Sequence, residues 1–225
     1  MCGRLNVISD PLGQLILEIT GRGFVVETHM NLAPTEPVPV LVMEEGAWDL
    51  RQMRWWLTPF WSDGPGTKYS MFNARSETLA RSRAFREPFA RRRSLVPASG
   101  YFEWRREGSV KQPFYVTPTE APGFAFAAVW DRWEGDGTVI ESCAIVTTAA
   151  PPSLEFLHHR MPVHLTPDEA NAWVDPLTSV TELNGLMAPT LRMPLRVTPV
   201  STQVNNARNK DARCTTPIGE DRVVT

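Results

Sequence analysis

The sequence predicts an α+β protein of antiparallel, partly closed β-barrel-like sheets with flanking short helices. Three observations carry that expectation. Most periodic segments are short runs of strand composition, the helical patterns are few, and strands do not alternate with dozen-residue helices as they do in a doubly wound parallel sheet. No internal repeat, low-complexity tract or dividing linker interrupts the chain, so residues 1–225 read as one domain, with the end from about residue 215 expected to be loose.

Taken in order, Asp10 and Pro11 supply an N-cap and a first helical residue; Leu12, Leu15, Ile16 and Ile19 then fall on one face until Gly21 offers a stop. Strand-like runs follow at Val38 to Met43 and Trp48 to Trp56. Ser76 to Arg92 reads as one or two short helices broken near Pro88, because the residue before a proline is pushed out of the helical region. Strand composition returns at Arg93 to Pro97, Tyr101 to Trp104, Pro113 to Thr117, Phe124 to Trp133 and Ser142 to Thr148. Two helices are announced by capping boxes, Thr166 with Glu169 and Ser179 with Glu182, and a last strand spans Leu195 to Val200.

Hydrophobic residues make up 42% of the chain and charged residues 21%, which excludes a disordered tail or a collagen-like fibre. No apolar run approaches the ~20 residues of a membrane span and no signal-peptide pattern opens the chain, so a cytoplasmic protein without a membrane partner is expected. Cys2, Cys143 and Cys214 are too few and too scattered for a disulfide framework, and four His without a Cys/His cluster of ligand spacing predict no metal site and no cofactor.

The net charge of −2 hides an uneven distribution. Residues 75–106 hold nine Arg against three Glu, a local charge of +6 that leaves −8 elsewhere. Phe85, Phe89, Tyr101, Phe102 and Trp104 are interleaved with those arginines. Arg for phosphates and aromatic faces for bases is the combination that grips a single nucleic-acid strand. A solvated face whose Arg stems cover apolar surface is the competing reading. Trp55, Trp56 and Trp61, near Lys68, carry the same choice between core packing and a stacking platform.

The chain opens Met1-Cys2-Gly3-Arg4. Removal of Met1 would leave an α-amine and a thiol on one residue. Such a 1,2-aminothiol condenses with an aldehyde to a Schiff base, on which the thiol closes to a thiazolidine; an α-amine pKa of roughly 7.7–8.0 leaves part of it nucleophilic at neutral pH. Three further segments each set a chemically competent residue in an apolar frame: Phe72-Asn73-Ala74-Arg75-Ser76-Glu77, Gly100-Tyr101-Phe102-Glu103-Trp104, and Leu157-His158-His159-Arg160-Met161-Pro162. Taken singly, Asn73 caps a turn, Glu103 faces solvent and His158 bonds a carbonyl.

Together with the opening tetrad, these segments resemble the SRAP family (SOS-response-associated peptidases, abasic site processing proteins). The resemblance extends to Asn31-Leu32-Ala33-Pro34, Ile145-Val146-Thr147, and Pro199-Val200-Ser201 followed by Asn206. It implies a monomer that senses an abasic site in single-stranded DNA during the DNA damage (SOS) response. It implies a covalent thiazolidine crosslink through Cys2, autocatalytic removal of Met1, and a lyase side reaction. The implied catalytic residues are Cys2, Asn73, Glu103 and His158. Asn73 would orient the opened sugar, Glu103 would move protons, and His158 would act as acid and base, with His159 at the variable position of the His-x-Arg-x-Pro pattern. Arg4, Arg75 and Arg160 would hold phosphates, Trp61 and Trp104 would flank bases, and Asn31 and Thr147 would add DNA contacts. Leu5 and Tyr101 depart from the family pattern, in which an aromatic residue and Trp are common. Two rival classes stay open: a peptidase acting on other proteins with Cys2 as nucleophile, and a non-covalent single-stranded DNA-binding module.

Overall fold

A computed structural model describes residues 3–66, 68–108 and 110–225. The first half of the chain forms β1 (Leu5–Val7), α1 (Ser9–Thr20), β2 (His29–Leu32), β3 (Pro37–Glu44), β4 (Ala47–Arg54), β5 (Asn73–Arg75), α2 (Arg86–Arg91), β6 (Arg93–Ala98) and β7 (Gly100–Glu107). The second half forms β8 (Val110–Pro118), β9 (Phe124–Gly135), β10 (Thr138–Ala149), β11 (Arg160–Pro162), β12 (His164–Leu165), α3 (Pro167–Val174), α4 (Val180–Leu186), β13 (Leu195–Pro199) and β14 (Arg222–Val224).

Strands β10, β4, β3, β6 and β9 close a barrel, because β10 pairs with β9 on one edge and with β4 on the other. A second, antiparallel sheet runs in the order β14-β13-β8-β7-β1-β2. The α+β expectation therefore holds, with one correction. The barrel is not antiparallel throughout: β4 and β5 both run parallel to β10. Arg54 registers with Ser142 and Asn73 with Ile145, so residues 55–72 leave one edge of β10 and return to it a few residues further on. Hydrogen bonds pin that excursion, from Thr58 N–H to Ser142 Oγ (2.8 Å), from Phe60 N–H to Asp131 Oδ2 (3.0 Å) and from Trp133 Nε1 to the Ser62 carbonyl (2.8 Å).

Helix α1 follows its sequence pattern. Asp10 is extended (φ −105, ψ 110), so the regular helix begins at Pro11, where a missing N–H leaves nothing unsatisfied, and Gly21 ends it in the left-handed region at φ 66. Leu12, Leu15, Ile16 and Ile19 are all buried, which at ~2 kcal/mol per side chain contributes roughly 8 kcal/mol as an upper bound. Both N-caps after β12 are made: Thr166 and Glu169 close a reciprocal capping box, and Ser179 accepts the Glu182 N–H. Pro88 does not break a helix. It sits in the first turn of α2, where no intrahelical N–H is required, and the preceding residues 79–85 are turns.

The arginine-rich run divides between fold and surface. Arg93 is buried and donates to the carbonyls of Trp173, Phe89 and Asp175, while Arg92 pairs with Asp131 and Glu87. Of the interleaved aromatics, Phe85, Phe89, Tyr101 and Phe102 are buried and cannot stack on a ligand; Trp104 is partly exposed. The departures Leu5 and Tyr101 are direct cross-strand partners, and both are buried. At the end expected to be loose, β14 pairs with β13 through Leu195 and Val224.

Candidate active site

The 72–77 and 157–162 segments, far apart in sequence, meet at one strand end. The last residues of β10 are flanked by β5 on one edge and β11 on the other: Arg75, Thr147 and Pro162 form one rung, and Ala149 pairs with Arg160. Across this ladder Arg160 becomes the central fastener. Its Nη1 and Nη2 donate to the two Glu77 carboxylate oxygens at 2.7 and 3.1 Å, and Nη2 donates to the Thr147 carbonyl at 2.5 Å. A bidentate guanidinium–carboxylate pair of this kind fixes orientation as well as charge.

Backbone geometry in the same segment sets the histidine. The Arg160 N–H donates to His158 Nδ1 at 3.0 Å, so the neutral ring carries its proton on Nε2. His158 thus accepts from an amide and does not bond a carbonyl through Nδ1. Its ring stacks on that of His159 with centroids 4.2 Å apart. Burial pushes the His158 pKa down to about 4, and the neighbouring His159 pushes the same way.

Glu103 arrives from the other sheet. On β7 it shares the inward face with Tyr101, which packs on Phe124 and Phe126, and this places the carboxylate among buried groups at 4% exposure and not in solvent. Burial raises its pKa, against which the Trp104 N–H bonded to Oε1 at 3.2 Å works only in part. Strand β7 can lie this close to β8 because residue 100 is Gly: a Cβ there would stand 2.5 Å from the Tyr115 ring, which stacks on Phe102 at 4.7 Å.

Glu103, Trp104, His158 and Arg4 line one cleft of about 900 Å³. Arg4 lies beside β7, its carbonyl accepting the Phe102 N–H at 3.0 Å. Its guanidinium reaches the Asn31 Oδ1 (3.0 Å) and the Val204 carbonyl (2.6 Å) and stands 5.8 Å from the Trp104 ring centroid. Cys2 and Met1 lie outside the described residues.

Three expected contacts do not line the cleft of Glu103 and His158: two are buried and one lines a different cleft. Asn31 is fully buried, and its amide donates to the carbonyls of Val204, Asn206 and Asn209, so it holds Arg4 and the 200–214 segment from within. Thr147 is fully buried too and acts through its carbonyl on Arg160. Trp61 lines a separate cleft of about 350 Å³ with Lys68 and Tyr69, with the Arg83 guanidinium 3.9 Å from its ring centroid. Arg75 is exposed on β5, and Asn73 is buried on the same strand. Sequence reasoning missed Glu77 and Asn205, whose Oδ1 accepts the Trp104 indole N–H at 2.7 Å. Glu77 was within the quoted 72–77 segment; the signal for Asn205 was only its neighbour Asn206.

The barrel and the antiparallel sheet together bring a buried carboxyl, an imidazole and fixed guanidinium groups to one cleft. The chain belongs to the SOS response associated peptidase (SRAP) family, whose sequence profile matches residues 1–207. It is 30% identical over 216 residues to the abasic site processing protein YoqW of Bacillus subtilis (strain 168), covering 93% of this chain and 96% of that one. It is 32% identical over 192 residues to the abasic site processing protein YedK of Escherichia coli (strain K12), covering 84% of each. Its fold matches the crystal structure of a protein from Bacteroides thetaiotaomicron with a TM-score of 0.75 at 27% identity, over 84% of both chains. Among the described residues no helix is long and apolar enough to cross a membrane.

Proposed function

We propose that this protein captures abasic sites in single-stranded DNA by forming a thiazolidine between Cys2 and the aldehyde of the ring-opened sugar. One observation carries the reading: Glu103, buried with a raised pKa, and His158, neutral with its proton on Nε2, line the same cleft as Arg4. Membership of the SRAP family and the opening Cys2-Gly3-Arg4 support it.

The chemistry follows from the aminothiol. Met1 must leave first, since an amide nitrogen at Cys2 is not a nucleophile. The free amine adds to the C1′ aldehyde, water departs to give the Schiff base, and the thiol adds to that carbon while its proton passes to nitrogen; the net change is loss of one water. Burial raises the Glu103 pKa and so favours the protonated carboxyl, the form that can deliver a proton to the departing hydroxyl. The His158 Nε2–H polarises the sugar oxygen during ring opening, a step that matters because the closed sugar offers no aldehyde. Asn73 orients the opened sugar. Arg4, Arg75 and Arg160 hold flanking phosphates and Trp104 stacks on a base, so specificity comes from the aldehyde and the strand, not from base identity. Loss of the 3′ phosphate from the Schiff base would be the accompanying lyase reaction, and removal of Met1 the peptidase-type one. The protein acts as a monomer and without a cofactor, shielding the lesion in a DNA damage response.

The test is a denaturing gel of protein mixed with single-stranded DNA bearing one abasic site. A shifted band that survives heating and disappears in Cys2→Ala is expected. A gel shift only under native conditions would favour a non-covalent binding module, and cleavage of unrelated peptides without a DNA adduct would favour a peptidase.

A further inference from the structure

We propose that the β7–β8 hairpin is a phosphate track for single-stranded DNA leaving the cleft, with Arg106 and Lys111 as its paired cations. The inference rests on the single-stranded DNA reading above and names the surface that takes the strand beyond the abasic site.

Arg106 and Lys111 are direct register partners across the two strands. Both are exposed, both line the cleft that holds Glu103 and His158, and neither has an ion-pair partner among the described residues. Like charges directly opposite one another in an antiparallel pair are destabilising, so folding alone disfavours this arrangement. An anion bridging the two would reverse the sign.

The positive surface continues past the hairpin. Arg105 lines the same cleft and also a second one, of about 380 Å³, where its guanidinium stands 4.9 Å from the Phe114 ring centroid. Across that second cleft the Arg222 guanidinium stands 4.1 Å from the ring of Phe156, which lines both clefts. A guanidinium laid over an aromatic ring has its position fixed by the ring and presents its charge to the cleft. The acids lining the two clefts are Glu103 and Glu155 in the first and Glu220 in the second, outnumbered by the cations Arg4, Arg105, Arg106, Lys111 and Arg222. A row of cations joining two clefts, with rings beneath two of them, fits a flexible polyanion that can bend between them.

The experiment compares wild type with the Arg106→Ala/Lys111→Ala double variant by fluorescence anisotropy. The probes are oligonucleotides of about 5 and about 15 nucleotides, the longer ones extended only 5′ or only 3′ of a tetrahydrofuran abasic analogue that cannot form the adduct. Wild type should gain affinity on extension at one end. The double variant should lose most of that gain, and its log K against log salt slope for that probe should flatten by about 1.4, two single-strand phosphate contacts at ~0.7 each. The charge-preserving Arg106→Lys/Lys111→Arg variant should behave as wild type. Equal affinities and slopes for wild type and double variant on every probe would overturn the track while leaving the abasic-site reading intact. A wild type that neither binds these probes nor forms the denaturant-resistant adduct with a true abasic site would overturn that reading and the track with it.

Discussion

The backbone N–H of Arg160 donates to Nδ1 of His158 at 3.0 Å, two residues back along the same segment. One hydrogen bond therefore selects the tautomer of the site's imidazole and ties it to the residue that fastens β11 to Glu77. With the pKa held down to about 4 by burial and by His159, the ring stays neutral through the physiological range. The His158 Cε1–H resonance should accordingly keep its neutral chemical shift from pH 8 down to pH 5. A titration centred near the ordinary value of about 6.5 would show that burial does not control this group.

Glu103 is expected to contribute to the rate of adduct formation and little to DNA affinity. Glu103→Gln keeps the shape and removes the transferable proton, so crosslinking should slow by about 100-fold while binding of a non-reactive abasic analogue changes by less than about 2-fold. Equal losses in both measurements would make Glu103 a structural residue.

On the proposed reading, Glu77 competes with a phosphate for Arg160. The pair is partly exposed, with Glu77 about half accessible, and a pair of this exposure is worth ~0.5 kcal/mol. Glu77→Gln should therefore tighten single-stranded DNA binding by about 2-fold at low salt, a difference that fades as salt rises. Weaker binding in this variant would mean that Glu77 presents Arg160 to the ligand.

Acid sensitivity should trace in part to His164. This ring is buried, its Nε2 accepts the Arg192 N–H at 3.3 Å, and burial pushes its pKa down to about 4. The folded state thus binds fewer protons than the unfolded chain between that value and about 6.5. The associated stability is complete above about pH 6.5 and is lost as pH falls towards 4, on the order of 3 kcal/mol. Chemical denaturation at pH 7, 5.5 and 4.5 should show this loss, and His164→Gln should flatten the slope whatever its stability at pH 7. A slope as steep as wild type would remove His164 as the cause.

Much of the architecture is legible locally. Asp10-Pro11, Gly21 and the Thr166 box are written in caps, and the barrel strands in alternating or continuous apolar runs. What local pattern cannot contain is the long-range register. Only the parallel return of β5 to β10 explains why the 72–77 and 157–162 segments share one strand end, and no periodicity announces it. The site motifs were readable because they set polar groups in apolar frames, yet exposure was not. Asn31 and Thr147 look like contact residues in sequence and lie fully buried, positioning Arg4 and Arg160. Of the aromatics interleaved with arginine, Phe85 and Phe89 pack at and within α2, and Tyr101 and Phe102 point to opposite faces of β7, yet all four are buried.

The most direct measurement is the mass of the N-terminal peptide after reaction with single-stranded abasic DNA and digestion of both polymers. The account requires a peptide that begins at Cys2 and carries the sugar remnant with loss of one water, formed without a reductant. An unmodified Cys2 peptide in the crosslinked fraction, or the same adduct in Cys2→Ala, would contradict it.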